Sequence, residues 1–202
     1  MGRETPLMSK TIGVLALQGG YAAHANVLKR LGANVIEVRL PEQLAKCDAL
    51  VMPGGESTTI IRLLHRNFLD QAIVDRAKAG MPIFATCAGL ILLSKRIERG
   101  AERGGQPTLG LLDVAVVRNG FGRQLDSFEA ELEIKGLDTP LRAIFIRAPI
   151  ISEVGPDVDV LATVDDKVVM VQQRKVLAAA FHPELLDDDR LHAYFLDVLV
   201  GD

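Results

Sequence analysis

The stretch "PIFATCAGLILLSK" (residues 82–95) joins a short apolar run directly to a segment with helical character. Small residues surround its cysteine, Cys87, so the chain can turn sharply from a strand into a helix there. Such a turn exposes its apical side chain at the carboxyl end of the sheet, where open α/β sheets bind ligands. Cys87 is therefore either a small buried hydrophobe, which is the common case, or a nucleophile held on a tight turn.

Strands and helices alternate on the amino-terminal side of this turn. Segments with strand character are residues 11–20, 34–40, 48–58 and 81–86, the first and third ending in glycine turns. Segments with helical character are residues 21–33, 58–68, 69–80 and 88–97. Ser57 is the expected N-cap of the second helix, Gly80 ends the third, and Pro41 stops the second strand. The alternation predicts an α/β fold with a doubly wound, mainly parallel sheet flanked by helices.

The carboxyl-terminal half has a different character, because strand-like segments follow one another with little helix between them. They are residues 109–117, 127–134, 141–149, 158–164, 167–174 and 175–183. This succession predicts antiparallel or mixed strands at one edge of the sheet. A helix at residues 188–200 closes the chain.

Composition excludes several classes of protein. The chain of 202 residues is 49% apolar but only 4% aromatic, so aliphatic side chains must fill a substantial core. A net charge of −3 and the lack of a long apolar run argue against nucleic-acid and membrane partners. Two cysteines make no disulfide framework and the opening residues lack a secretory signal, so we expect a cytoplasmic protein. We expect a loose tail at residues 1–9, in which Met8 is an alternative start to Met1, and one domain at residues 10–202.

A nucleophilic thiol needs a base, and the base needs an orienting group. His182 follows the buried-looking strand "KVLAAAF" and precedes Pro183 and Glu184. If that strand runs parallel to the one before Cys87, His182 lies on the same rim of the sheet, and Glu184 can reach back to its imidazole. Cys87, His182 and Glu184 then form a triad. Without Cys87, the same residues would be read as an ordinary turn at the end of a strand.

The loop "MPGGESTT" (residues 52–59) is the third element of interest. A glycine pair after a buried strand lets the backbone approach a ligand closely. The N–H groups of Gly55 and Ala88 could together stabilise an oxyanion. A phosphate cradle and a plain turn are the rival interpretations, although no Walker A pattern is present and "ALQGGYAAH" (16–24) lacks the second half of a dinucleotide fingerprint. We therefore expect neither a cofactor nor a metal.

Taken together, these elements resemble the triad-type (class I) glutamine amidotransferases, which have a flavodoxin-like α/β fold. The resemblance is closer to one branch, the glutaminase subunit of pyridoxal 5′-phosphate synthase (the PdxT/SNO family). The matching stretches span nearly the whole chain: "IGVLALQGGYAAH" (12–24), "LVMPGGESTT" (50–59), "ATCAGLILL" (85–93), "VVRNGFGRQLDSFEA" (116–130), "FIRAP" (145–149) and "AAAFHPEL" (178–185).

The resemblance implies a hydrolase that converts L-glutamine to L-glutamate and ammonia, with Cys87 as nucleophile, His182 as general base and acid, and Glu184 as the orienting carboxylate. It implies that the glutamine-binding residues are Gly55, Glu56, Ser57, Arg118, Ile146 and Arg147. It further implies that the ammonia passes to a barrel-shaped synthase subunit that makes pyridoxal 5′-phosphate, in a hetero-oligomer with twelve copies of each subunit. Docking of that subunit is expected to order the oxyanion hole.

The chain departs from the family pattern at two positions, with Ala85 where glycine is frequent and Phe121 where tyrosine is frequent. Two other classes stay open. A cysteine hydrolase or stress protein of the related fold typically has histidine directly after the elbow cysteine, where this chain has Ala88. A non-catalytic regulatory subunit would be expected to have lost part of the triad, all of which is present here.

Overall fold

The computed structural model describes residues 10–99, 105–122 and 127–201. The elements up to the cysteine turn and the helix after it are β1 Thr11–Leu15, α1 Tyr21–Arg30, β2 Asn34–Val38, α2 Pro41–Leu44, β3 Ala49–Met52, α3 Ser57–Arg66, α4 Leu69–Lys78, β4 Ile83–Thr86 and α5 Ala88–Leu93. Every residue of β3 and β4 is buried, as expected for parallel strands covered by helices on both faces.

The second half is rich in strands. They are β5 Ser94–Arg99, β6 Leu112–Val117, β7 Ser127–Leu132, β8 Leu141–Ile146, β9 Ile150–Val154, β10 Asp159–Val164, β11 Lys167–Gln173 and β12 Val176–Ala179. A 3-10 turn at Pro183–Leu185 follows β12, and α6 (Arg190–Tyr194) continues as a π-helical segment at Phe195–Val200.

The large sheet has the strand order β2-β1-β3-β4-β12-β11-β9-β6-β5, with β10 added to β11, while β7 and β8 form a separate antiparallel pair. Strands β2, β1, β3, β4 and β12 run parallel to one another, and antiparallel pairing begins between β12 and β11. This confirms the predicted mixed, mainly parallel sheet. Strand β12 lies beside β4 with Ala179 opposite Thr86, so the residues after both strands lie on one rim.

Two local predictions were wrong. Glu56, not Ser57, is the N-cap of α3, because its carboxylate accepts the backbone N–H groups of Thr58 and Thr59. The helix predicted to reach residue 97 ends at Leu93, where the hydroxyl of Ser94 donates to the carbonyl of Ile91 at 2.8 Å. The chain then continues as β5, parallel to β6.

Two short elements were not expected: helix α2, and strand β9, which pairs with both β6 and β11. The predicted tail at residues 1–9 lies outside the described residues, and the single domain at 10–202 stays a prediction. Within the described part of the chain, no helix is both long enough and apolar enough to cross a membrane.

Candidate active site

Cys87 occupies a strained turn between β4 and α5, with φ 48° and ψ −104°. Such positive φ values are uncommon for a residue with a side chain and concentrate at functional sites. The turn is held by the backbone N–H of Cys87, which donates to the carbonyl of Ala179 at 2.8 Å. Gly89 makes the turn possible, because a Cβ there would lie 2.3 Å from the carbonyl oxygen of Met52. Ala85, the departure from the family pattern, is fully buried in β4.

His182 and Glu184 lie where β12 ends, on the same rim as Cys87. The backbone N–H of His182 donates to the carbonyl of Ile144 at 2.9 Å, which ties this segment to β8. Nδ1 of His182 lies 2.7 Å from Oε1 of Glu184, and the side chain of Cys87 is near enough to the imidazole to raise its pKa. The three side chains predicted as a triad therefore lie together at one cavity, and His182 and Glu184 are hydrogen-bonded to each other.

The electrostatics of the triad follow from these contacts. Burial by itself lowers the pKa of His182, but the interactions with the neighbouring Cys87 and Glu184 side chains outweigh burial and raise this pKa to about 10. Burial by itself raises the pKa of Glu184, yet the contacts with His182 and the positive potential of His24 hold it below its ordinary value. The structure thus favours an imidazolium beside a carboxylate.

This pair should make the stability of the fold depend on pH. The raised pKa of His182 gives a contribution that is complete below the ordinary value of 6.5 and is lost as the pH rises towards 10. The lowered pKa of Glu184 gives a contribution that is complete above 4.5 and is lost as the pH falls below that value. The free energy of unfolding, measured in urea, should therefore be larger for the wild type than for Glu184→Gln, and this difference should be greatest between pH 4.5 and 6.5. A difference that does not vary with pH would contradict the assignment.

The glycine loop after β3 packs closely against His182, the predicted base. A Cβ at Gly54 would lie 2.4 Å from Cε1 of His182, so only glycine fits there. The carbonyl of Gly54 accepts the N–H of Gly20 at 3.0 Å, and Oε1 of Gln18 accepts the N–H of Glu56 at 2.8 Å. Because a trans peptide directs its C=O and N–H to opposite sides, the N–H of Gly55 faces away from Gly20.

The first turn of α3 supplies the polar side chains next to that loop. Burial raises the pKa of Glu56, but hydrogen bonds from Thr58 and Thr59 outweigh it and bring the pKa to about 2. The Glu56 carboxylate also lies 3.4 Å from the guanidinium of Arg118. Ser57 is buried, and its hydroxyl donates to Oε1 of Gln106 at 3.0 Å.

A cavity of about 430 Å³ opens beside Cys87. Its walls include every residue that the sequence predicted for the site: Cys87, His182, Glu184, Gly55, Ala88, Glu56, Ser57, Arg118, Ile146 and Arg147. Sequence reasoning missed Gln18, which braces the glycine loop, and Gln106, which contacts both Ser57 and Arg118. Gln18 lies inside one of the stretches that match the family, so the sequence contained a signal that could have identified it. Gln106 lies outside those stretches, and the sequence contained no signal for it. Residues 123–126 of another stretch lie outside the described residues.

The second cysteine is in a different environment. Cys47 is buried in the core with its Sγ 3.2 Å from the carbonyl of Gln43, and burial raises the pKa of its thiol to about 11.

Phe121 packs against Phe128 and Phe145, at ring separations of 4.8 and 5.5 Å. The described residues contain no group of three or more His, Cys, Asp or Glu side chains arranged to hold a metal ion.

A thiol on a strand-to-helix turn, with a histidine and a carboxylate just past the end of the adjacent parallel strand, is an arrangement for acyl transfer. A solved structure described as a glutamine amidotransferase shares this fold with a TM-score of 0.88 and 47% sequence identity. The match covers 95% of this chain and 99% of that one. Fold and site thus define a protein of the glutamine amidotransferase class.

The family is narrower than that class. The chain matches the SNO glutamine amidotransferase family over residues 14–201, and it belongs to that family. A relative from Carboxydothermus hydrogenoformans, named pyridoxal 5′-phosphate synthase subunit PdxT, is 51% identical over 92% of this chain and 96% of its own length. A protein of the same name from Deinococcus radiodurans is 53% identical over 92% of this chain and 95% of its own length. The resemblance predicted from the sequence is confirmed.

Proposed function

We propose that this protein hydrolyses L-glutamine to L-glutamate and ammonia, and delivers the ammonia to a synthase subunit that makes pyridoxal 5′-phosphate. Family membership and the names of the relatives support this function. The observation that carries the chemistry is the grouping of Cys87, His182 and Glu184 in the wall of a cavity of about 430 Å³, with His182 hydrogen-bonded to Glu184.

The reaction proceeds in two halves. The Cys87 thiolate adds to the side-chain amide carbon of glutamine, and the N–H groups of Gly55 and Ala88 hold the oxyanion. The His182 imidazolium gives its proton to the amide nitrogen, so that the C–N bond breaks and ammonia leaves a thioester. Neutral His182 then takes a proton from water, the hydroxide adds to the thioester, and the C–S bond breaks to release glutamate and the thiolate.

The rest of the cavity suits the amino-acid end of free glutamine, which carries one charge of each sign. Arg118 and Arg147 supply cations for the α-carboxylate, and Glu56 supplies an acceptor for the α-ammonium group. Ser57 and Ile146 complete the wall.

Replacing Arg118 by alanine should therefore weaken substrate binding more than it slows chemistry. Loss of a hydrogen bond to a charged group corresponds to about 1.5–3 kcal/mol, or an increase of about 10- to 150-fold in the KM for glutamine. The matched control is Arg142→Ala on β8, because Arg142 is exposed, pairs with Glu129 and does not line the cavity. Steady-state kinetics of both variants measure this; an unchanged KM in Arg118→Ala would remove Arg118 from the binding site.

The partner is a synthase subunit, as expected for a relative of proteins that are named as subunits of one synthase. We infer a cytoplasmic hetero-oligomer with twelve copies of each subunit, in which docking of the partner orders the oxyanion hole. The Gly54–Gly55 peptide is the element that such docking would act on, because the hydrogen bond from the N–H of Gly20 to the carbonyl of Gly54 helps to set its orientation.

The direct test is release of ammonia from glutamine by the purified chain, with and without its synthase subunit. We expect slow release by the chain alone and a clear stimulation on addition of the subunit. Release that does not change with the partner would refute control by docking, and the absence of release under both conditions would refute the glutaminase function itself.

A further inference from the structure

Two buried histidines, to which the reaction above assigns no role, lie behind the triad. His24 on α1 and His192 on α6 both have no exposed surface. Both imidazole rings stand nearly perpendicular to the ring of Phe84, at ring separations of 6.1 and 5.4 Å. Two titratable side chains in an apolar wall are costly to bury, so their contacts require an explanation.

His24 reaches the one oxygen of Glu184 that the triad does not use. Oε1 of Glu184 is bonded to His182, while Nε2 of His24 lies 3.3 Å from Oε2. The contact is long, and Nε2 also faces the hydroxyl of Thr86 at 3.1 Å. Among the described residues no donor is aligned with Oε2 by strict geometry, so His24 is what the structure offers to this buried oxygen.

The ionisation states fix where the protons lie. Burial lowers the pKa of His24 despite the charge of Glu184, so His24 is neutral and has one N–H. The Glu184 carboxylate is ionised and can only accept, so the proton of His24 must be on Nε2, because a lone pair there would be repelled. Nδ1 of His24 is then an acceptor for Nε2–H of His192, which lies 2.9 Å away. The lone pair of His192 is left on Nδ1, the nitrogen with no partner among the described residues.

We propose that His24 is a positioning residue for glutamine hydrolysis: its Nε2–H, which also contacts the hydroxyl of Thr86, faces Oε2 of Glu184 and holds the carboxylate in the orientation in which Oε1 accepts from His182. His192 acts one step further back, because its Nε2–H fixes the tautomer of His24. The proposal rests on the glutaminase function proposed above. A neutral donor suits this position, since it fixes the carboxylate without a positive charge that would compete with His182.

The surrounding charges agree with this proton arrangement. His24 experiences the negative charge of Glu184 and the positive charge of His182. Burial lowers the pKa of His192 to about 3; His24 and Arg30 also act to lower it, and Glu184 and Asp189 act to raise it. His192 therefore stays neutral through the working pH range and remains a single-proton donor.

Substitutions at position 24 can separate positioning from packing. The amide nitrogen of glutamine reproduces the position of Nε2, whereas that of asparagine reproduces Nδ1. We expect His24→Gln to keep kcat within about threefold of the wild type, and His24→Asn and His24→Leu to lower kcat by about 10- to 100-fold. The KM for glutamine should stay within about twofold in all three variants, because His24 does not line the cavity. The acid limb of the kcat profile should move to higher pH in His24→Leu, since the ionised carboxylate has lost a donor.

These assays should use the chain saturated with its synthase subunit, and thermal unfolding should verify that each variant folds. A folded His24→Leu with unchanged kcat and pH profile overturns the proposal, as does a His24→Gln that loses as much kcat as His24→Leu. The ¹⁵N imidazole spectrum of the wild type tests the proposal without any variant: Nε2–H on both His24 and His192 is expected, and Nδ1–H on His24 overturns it. A wild type that releases no ammonia would sink the glutaminase function, while the spectrum would still decide the role of His24.

Discussion

Replacing Cys87 by alanine should abolish glutamine hydrolysis, with kcat falling by about 10⁴-fold or more. The thiolate is the only group on the elbow that can form the thioester, and without it water would have to attack an unactivated amide. The fold should survive, because alanine keeps the Cβ at the strained turn and the backbone bond from position 87 to Ala179 is unaffected. Ammonia release and thermal unfolding of the purified variant measure the two effects separately.

Cys47 provides the matched control. Both cysteines are buried, but Cys47 precedes β3 and does not line the cavity; its thiol donates to the carbonyl of Gln43, and burial raises its pKa to about 11. Cys47→Ala should lose some stability and keep kcat. A glutamine-analogue electrophile should modify Cys87 alone in the wild type and should leave Cys87→Ala unlabelled. Residual hydrolysis by a folded Cys87→Ala protein would rule out the thioester mechanism.

Glu184→Gln is expected to have the second-largest effect, a loss of about 10³- to 10⁴-fold in kcat. Glutamine has nearly the same shape as glutamate, so the 3-10 turn at Pro183–Leu185 should form as before. The variant lacks the charge that stabilises imidazolium on His182, and the pKa of His182 should fall from its raised value of about 10. It also presents an amide that can turn its NH₂ group towards Nδ1 and so select the wrong tautomer. Steady-state kinetics between pH 6 and 10 would show a low kcat with an altered alkaline limb.

An exposed glutamate offers the comparison. Glu153 on β9 pairs with Arg96 at the surface and lies outside the cavity, so Glu153→Gln removes the same charge without touching the site. Its kcat should stay within about twofold of the wild type. If Glu184→Gln keeps a similar rate, Glu184 is only a packing residue and the base is oriented by another group.

Much of the site could be predicted because its chemistry is local in the sequence. The elbow is defined by five consecutive residues around Cys87. His182 and Glu184 are two positions apart, so ordinary turn geometry brings these two side chains together. The parallel pairing of β12 with β4 could not be predicted in the same way. The sequence analysis had to assume it, because the residues of a strand do not specify which distant strand it will pair with. The structure supplied that step.

The errors have physical causes of the same kind. Residues 94–97 have helical spacing, but pairing with β6 outweighs that weak local preference. Ser57 is a good N-cap by composition, yet Glu56 accepts two backbone N–H groups and leaves Ser57 free to bond Gln106. Gln18, Gln106 and His24 act through contacts across 38 to 168 positions of the chain, which no local pattern contains.

The position of β12 between β4 and β11 also bears on how the protein is made. Cys87 leaves the ribosome first, and His182, the base for its thiol, follows 95 residues later in the chain. At typical rates of synthesis this interval is roughly 5 to 20 seconds. During it the amino-terminal strands can pair, but the slot beside β4 stays unfilled and the thiol has no base. The nascent chain therefore cannot catalyse the reaction. Catalysis requires that β12, the last strand, has been inserted beside β4.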